Sequence, residues 1–289
     1  MNTQKLEKTF SICGSLTVNR MGFGAMRITG KGIWGPPENK NEALRVLKRA
    51  VELGVNFIDT ADSYGPHVSE ELIAEALYPY PAGLVIATKG GILRQGPGQM
   101  SLDGSPEHLR NALEGSLKRL KLDTIDLYQL HRIDPAVQTE KTFAFLNKAQ
   151  LEGKIKHIGL SEVNVEDIKK AQQYFKVASV QNIYSVDNRK WEDVLEFCKA
   201  QHIAFIPWRP INAGNVDASE TLRNIGNRYK ASIHQIALSW LMHHSDNIIL
   251  IPGTSGITHL EENIQSASIA LTDDDLKKLD LLSMARSGV

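Results

Sequence analysis

Cysteine is scarce in this chain. Its two cysteines, Cys13 and Cys198, lie far apart and show no metal-ligand spacing, which points to a reduced, intracellular setting. An excess of one charge is also missing. With 33 basic and 33 acidic residues there is no basic footprint for nucleic acid and no polybasic patch for a membrane. No apolar run approaches the roughly 20 residues of a membrane span. The opening M-N-T-Q-K-L-E-K lacks the apolar core of a signal peptide. A soluble, cytoplasmic protein is the expectation. No G-x-G-x-x-G pattern follows an early strand, which weakens an open dinucleotide-binding sheet. No Pro/Ser-rich linker, composition break or low-complexity segment divides the chain, so one domain over residues 1–289 is expected.

What is present is length and alternation. A chain of 289 residues with 42% apolar composition can bury a large core, as two ordinary domains or one α/β barrel. Residues 9–18 read as a small hairpin. Strand-like runs then fall at 21–26, 56–60, 84–89, 124–131, 155–161, 178–184, 203–207 and 247–252. Helical patterns separate them at 41–53, 69–77, 106–120, 141–152, 165–175, 191–200 and a longer region at 219–244, with further helices at 259–266 and 272–283. Gly54 and Gly153 sit where left-handed helix caps belong. Eight strand–helix units in series predict a closed (β/α)8 TIM barrel preceded by a short β-hairpin.

In such barrels chemistry lies at the C-terminal strand ends. The stretch N-F-I-D-T-A-D-S-Y-G at 56–65 places Asp59 at a strand end and Tyr64 in the following loop. Lys89 ends L-V-I-A-T-K, and His131 ends I-D-L-Y-Q-L-H. Taken singly, these could be a structural ion pair, a turn tyrosine and a satisfied histidine. Together on one rim they form a proton-handling set. An ammonium beside a phenol stabilises the phenolate and lowers the tyrosine pKa toward the working pH. Asp59 can hold Lys89, and His131 can orient a carbonyl oxygen. The set needs no metal, whereas a hydride must come from a cofactor.

The ordered blocks G-V-N-F-I-D-T-A-D-S-Y-G, A-T-K, L-H, I-G-L-S, S-V-Q-N-I-Y-S and I-P-G-T-S…H-L-E-E-N-I resemble those of the aldo-keto reductases over nearly the whole chain. The resemblance implies an NADPH-dependent oxidoreductase reducing an aldehyde or ketone to an alcohol. Tyr64 would be its general acid and Asp59, Lys89 and His131 the other catalytic residues. It places Met26, Ser161 and Gln181 at the cofactor, with Trp208 in place of a stacking tyrosine and Arg209 in reach of a phosphate. Gly253, Thr254, Ser255, His259, Glu262 and Asn263 match the adenosine end. Glu162 stands where the family often has Asn, and Gly253 and His259 stand where some members clamp a 2′-phosphate with Lys and Arg. NADPH is favoured, with NADH as the alternative. The loop at 211–215 is expected to cover the pyrophosphate.

Two longer excursions, 28–40 and 90–104, offer Trp34, Ile92 and Met100 as pocket walls. The G-P-P and A-L-Y-P-Y segments resemble a bacterial subgroup that includes pyridoxal reductases, which makes pyridoxal a candidate aldehyde. His243-His244-Ser245-Asp246 reads as a solvated turn at the barrel's opposite end, not a metal site. A cofactor-binding regulatory subunit that senses redox state, as in the family's potassium-channel β-subunits, is the competing reading.

Overall fold

Thr9–Ile12 (β1) and Leu16–Asn19 (β2) pair as the expected hairpin, turned by Cys13 and Gly14 at positive φ. The computed structural model describes residues 7–210 and 220–282. Next come Phe23–Gly24 (β3), Phe57–Asp59 (β4) and Val85–Gly90 (β5), then the antiparallel pair Ile92–Gly96 (β6) and Gln99–Leu102 (β7). Ile125–Leu130 (β8), Ile155–Ser161 (β9), Val177–Gln181 (β10) and Ala204–Phe205 (β11) follow. Seven strands pair in parallel in the order β11-β10-β9-β8-β5-β4-β3.

Residues 247–250 close the ring. Ile249 N–H donates to the Phe205 carbonyl at 2.9 Å, while Gly22 N–H donates to the Leu250 carbonyl at 2.8 Å. The short bridges Phe205–Ile248 and Met21–Leu250 are both parallel. Arg20 locks this seam, its buried guanidinium donating to the carbonyls of Ile248, Met242, Ser245 and Glu7. The expected eight-membered barrel is therefore present, its last member held by isolated bridges.

The helices are Lys40–Glu52 (α1), Val68–Leu77 (α2), Pro106–Leu120 (α3), Thr139–Leu151 (α4), Val165–Ala171 (α5) and Glu192–Ala200 (α6). Glu220–Tyr229 (α7), Ile233–His244 (α8), Ile257–Gln265 (α9) and Asp273–Asp280 (α10) follow among the described residues. In α3, Ser105 caps the His108 N–H, Pro106 fits the first turn, and Leu109, Leu113 and Leu120 are buried. Each such leucine contributes on the order of 2 kcal/mol of burial.

Inside the barrel, side chains follow a two-residue period. Phe57, Val85, Ala87, Leu127, Ala204, Ile206, Ile249 and Ile251 form its apolar core, and Ile12, Leu16 and Val18 of the hairpin close its floor. Two residues beyond Phe57, Ala87 and Leu127 come Asp59, Lys89 and Gln129. The same parity that fills the core thus aims polar groups into the mouth.

The structure refines two expectations and corrects a third. The region at 219–244 is two helices, parted where Lys230 turns left-handed at φ 53° and Ser232 starts a new capping box with Gln235. The excursion at 90–104 contains the β6–β7 hairpin, which the local P-G turn signal foretells. His244 is no solvated turn residue: it ends α8, with its ring against Trp240 (centroids 4.4 Å apart) and hydrogen-bonded to Tyr184 and Glu192 at 2.9 and 3.0 Å.

Candidate active site

Asp59 ends β4, and Lys89 reaches it from β5. The Lys89 Nζ donates to Asp59 Oδ2 at 2.5 Å and to the Thr60 carbonyl at 2.8 Å, and it lies 3.5 Å from the Tyr64 hydroxyl. Lys89 is fully buried and Asp59 nearly so. Backbone bonds hold the Tyr64 loop over this pair: Thr60 N–H donates to the Ala87 carbonyl and Asp62 N–H to the Lys89 carbonyl, at 2.8 and 3.1 Å. The Tyr64 and His131 rings meet edge-on with centroids 5.9 Å apart. The four predicted catalytic residues thus converge.

Asp59 has further support. Gln129 and Gln181 each donate an amide N–H to Asp59 Oδ1 at 3.0 Å. Gln129 has room because residue 159 is glycine; a Cβ there would meet Ser179 Oγ at 2.2 Å and Gln129 Cγ at 2.9 Å. Sequence reasoning missed Gln129, although the two-residue parity from Leu127 to His131 marks it as inward.

Burial sets the electrostatics. It raises the Tyr64 phenol above its ordinary pKa, and the opposing pull of Lys89 does not overcome it. The expected net lowering by Lys89 is therefore not found in the free protein; desolvation of the phenolate dominates. Burial alone would lower Lys89, but Asp59 and Tyr64 outweigh it and hold the ammonium above its usual value. His131 is driven well below the usual histidine range by burial, then by Lys89, Arg132 and Arg94. The imidazole is neutral near pH 7 and serves as a hydrogen-bonding group.

Beside this set lie the residues expected at the nicotinamide. Ser161, ending β9, donates to the Gln181 carbonyl at 2.9 Å and accepts from Arg132 Nη1 at 2.8 Å. Glu162 is left-handed at φ 55°, and its Oε1 accepts both Trp208 Nε1 (2.5 Å) and the Ile183 N–H (2.6 Å). Trp208 also carries the Arg132 and Arg209 guanidiniums over its ring, at 5.7 and 5.3 Å. Arg209 itself is exposed.

Across the rim, Gly253 packs so tightly that an added Cβ would meet the Gly24 carbonyl at 2.7 Å and Arg27 Cγ at 3.4 Å. Met26 lies in the short 3-10 turn Ala25–Ile28 beside it. Thr254 Oγ1 accepts the Gly256 N–H at 3.2 Å, and Ser255 is exposed. Gly256 caps α9 without a side-chain bond, which leaves first-turn N–H donors for an anion. His259 pairs with Glu262 at 3.0 Å, and half-buried Asn263 lies one residue further along the helix. The loop at 211–215 lies outside the described residues.

Of the expected pocket walls, Ile92 is buried, Met100 is 58% exposed and Trp34 is 37% exposed. Trp34 bridges Gly65, tying its loop to the residue after Tyr64. Two pocket cations, Arg94 and Arg132, were not foreseen; both lie near motif residues, but nothing in the one-dimensional pattern aims them.

A parallel barrel with a buried Asp–Lys–Tyr–His set at its mouth and an uncapped helix N-terminus nearby defines a proton-handling oxidoreductase class. The Aldo/keto reductase family model matches residues 20–283. An uncharacterized oxidoreductase of Schizosaccharomyces pombe is 51% identical over 268 residues, covering 92% of this chain and 87% of the relative. Pyridoxine 4-dehydrogenase of Escherichia coli is 37% identical over 281 residues, covering 95% and 98%. Among solved structures, the thermostable aldo-keto reductase Tm1743 superposes with a TM-score of 0.83 at 28% identity, covering 98% of this chain and 100% of that one. The chain belongs to the Aldo/keto reductase family. Among the described residues no helix is long and apolar enough to cross a membrane.

Proposed function

We propose that this protein, as a single barrel domain, reduces an aldehyde or ketone to its alcohol with NADPH, Tyr64 supplying the proton. The observation that carries this is Lys89 Nζ, buried between Asp59 Oδ2 and the Tyr64 hydroxyl. Held at this site, a nicotinamide cofactor would supply the hydride that no side chain can. Tyr64 donates its hydroxyl proton to the carbonyl oxygen, and Lys89 stabilises the phenolate left behind. Neutral His131 orients that oxygen. Asp59, held by two glutamines, fixes the ammonium.

The donor set fits such a cofactor. Ser161 and Gln181 would hold its carboxamide, Trp208 would stack on its ring, and the first turn of α9 with Thr254 and Ser255 would hold a phosphate. Arg27, exposed beside Gly253, would be a further phosphate ligand, which supports NADPH. His259, Glu262 and Asn263 would line the adenosine. Likeness to the Escherichia coli pyridoxine 4-dehydrogenase makes pyridoxal the first aldehyde to test.

The test follows NADPH absorbance over an aldehyde panel that includes pyridoxal, with NADH in parallel. Wild type should turn over, and Tyr64→Phe should lose about 10²-fold or more in kcat, the usual scale for a positioned general acid. Cofactor binding without turnover of any carbonyl would overturn the enzyme reading in favour of a redox-sensing subunit.

A further inference from the structure

Two guanidiniums flank the carbonyl site, and among the described residues neither has a carboxylate within ion-pair distance. Arg132 follows His131 directly, and its Nη1 makes both of its hydrogen bonds, to the His131 carbonyl at 2.6 Å and to Ser161 Oγ at 2.8 Å. Its Nε and Nη2 bond to none of the described residues. Arg94 lies on β6 opposite Met100 of β7, so it shares a face of the hairpin with Ile92, the buried pocket-wall residue. Its Nε is buried and has no hydrogen-bond partner among the described residues.

The neighbouring acids are already engaged. Asp59 holds Lys89, Gln129 and Gln181. Glu162, the acid whose charge reaches Arg132, spends Oε1 on Trp208 and Ile183. Asp134, on the loop after β8, accepts the N–H groups of Gly104 and Ala136. Lys89, Arg94 and Arg132 thus face two carboxylates, Asp59 and Glu162, and one positive charge is left over, with N–H donors of both arginines unspent. In a desolvated pocket such an excess attracts an anion far more strongly than it would at the surface. A guanidinium with open N–H donors suits a carboxylate or phosphate in bidentate geometry.

We propose that the substrate is a carbonyl compound bearing a carboxylate or phosphate, bound by Arg94 and Arg132 beside Tyr64 and His131. The excess charge also explains a feature of the site. Both arginines help keep His131 neutral and Arg132 favours the Tyr64 phenolate, so the groups that hold the substrate anion also tune the proton donor. This inference rests on the reductase reading and narrows its substrate, placing anionic carbonyl compounds ahead of pyridoxal, which carries neither group.

The test compares para-carboxybenzaldehyde with its methyl ester, two aldehydes that differ in one charge far from the reacting carbon. With NADPH, wild type should favour the acid by about tenfold or more in kcat/KM, the scale of charge-assisted hydrogen bonds. The acid-to-ester ratio should collapse toward one in Arg94→Met and in Arg132→Met and partly recover in Arg94→Lys. Because the readout is a ratio, a partly unfolded variant does not mimic the effect. Ester turnover without preference for the acid would overturn this proposal and leave the reductase intact. If the variants raise the KM for NADPH and leave the ratio unchanged, the arginines serve the cofactor and the proposal also falls. Turnover of no aldehyde would overturn the reductase reading itself.

Discussion

The indole N–H of Trp208 donates to Oε1 of Glu162 at 2.5 Å, and that same oxygen takes the backbone N–H of Ile183 at 2.6 Å. The family's frequent asparagine at position 162 is thus replaced by a longer acid that reaches across the mouth and fixes the aromatic ring proposed to stack on the cofactor. Position 162 is left-handed, which suits Asn better than Glu, so the contact is made against a backbone preference.

Glu162→Ala should therefore act mainly on the cofactor. Losing both bonds leaves the half-buried Ile183 N–H unpaired and Trp208 loose. The KM for NADPH should rise about tenfold, as expected for a lost hydrogen bond to a charged group. Glu162→Gln keeps an acceptor and should stay near wild type. Steady-state kinetics with varied NADPH would reject this role if the two variants behaved alike.

The barrel was legible because its alternation of short apolar runs and amphipathic helices is a direct imprint of the fold. The convergence of Asp59, Tyr64, Lys89 and His131 was legible because strand ends and the loops that follow them are positions countable in sequence. Gln129 was equally countable, yet it carries no charge and belongs to none of the quoted motifs. Arg94 and Arg132 were not legible, because their direction depends on a hairpin register and on a rotamer held by Ser161. The net pKa of Tyr64 was misjudged for a related reason. A charge partner can be named from a sequence, whereas the opposing desolvation must be seen in the packing.

His131 sets a prediction for acid pH. Burial and then Lys89, Arg132 and Arg94 depress its folded pKa, while in the unfolded chain it titrates near about 6.5. The unfolded state then binds an extra proton below about pH 6.5, so this site's contribution to stability is present above that pH and is lost as pH falls. Thermal unfolding from pH 7 to 5 should fall more steeply for wild type than for His131→Gln. The pH profile of kcat/KM should show no histidine step near 6.5. Parallel melting curves together with such a step would mean that His131 is protonated in the native site.

Asp62 sets the opposite prediction at higher pH. It sits in the loop that carries Tyr64, its N–H bonded to the Lys89 carbonyl and its own carbonyl accepting the His67 N–H at 2.7 Å. Its Oδ1 is buried without a hydrogen-bond partner. Burial, then the charge of Glu70, pushes its carboxyl up to about 8, and Arg119 and Lys89 only partly offset this. Arg119 is already paired with Glu70 at 2.6 Å, and the Tyr128 hydroxyl beside them is also without a partner. The native protein therefore keeps a proton that the unfolded chain releases near about 3.9. This contribution to stability is complete below that pH and disappears as pH rises through about 8. Asp62→Asn, which mimics the protonated acid, should flatten the decline, and its advantage over wild type should grow up to pH 9. Chemical unfolding of both proteins at intervals from pH 5 to 9 measures this directly. Equal slopes would show that the acid is ionised in place, and the loop over Lys89 would then need another source for its hold.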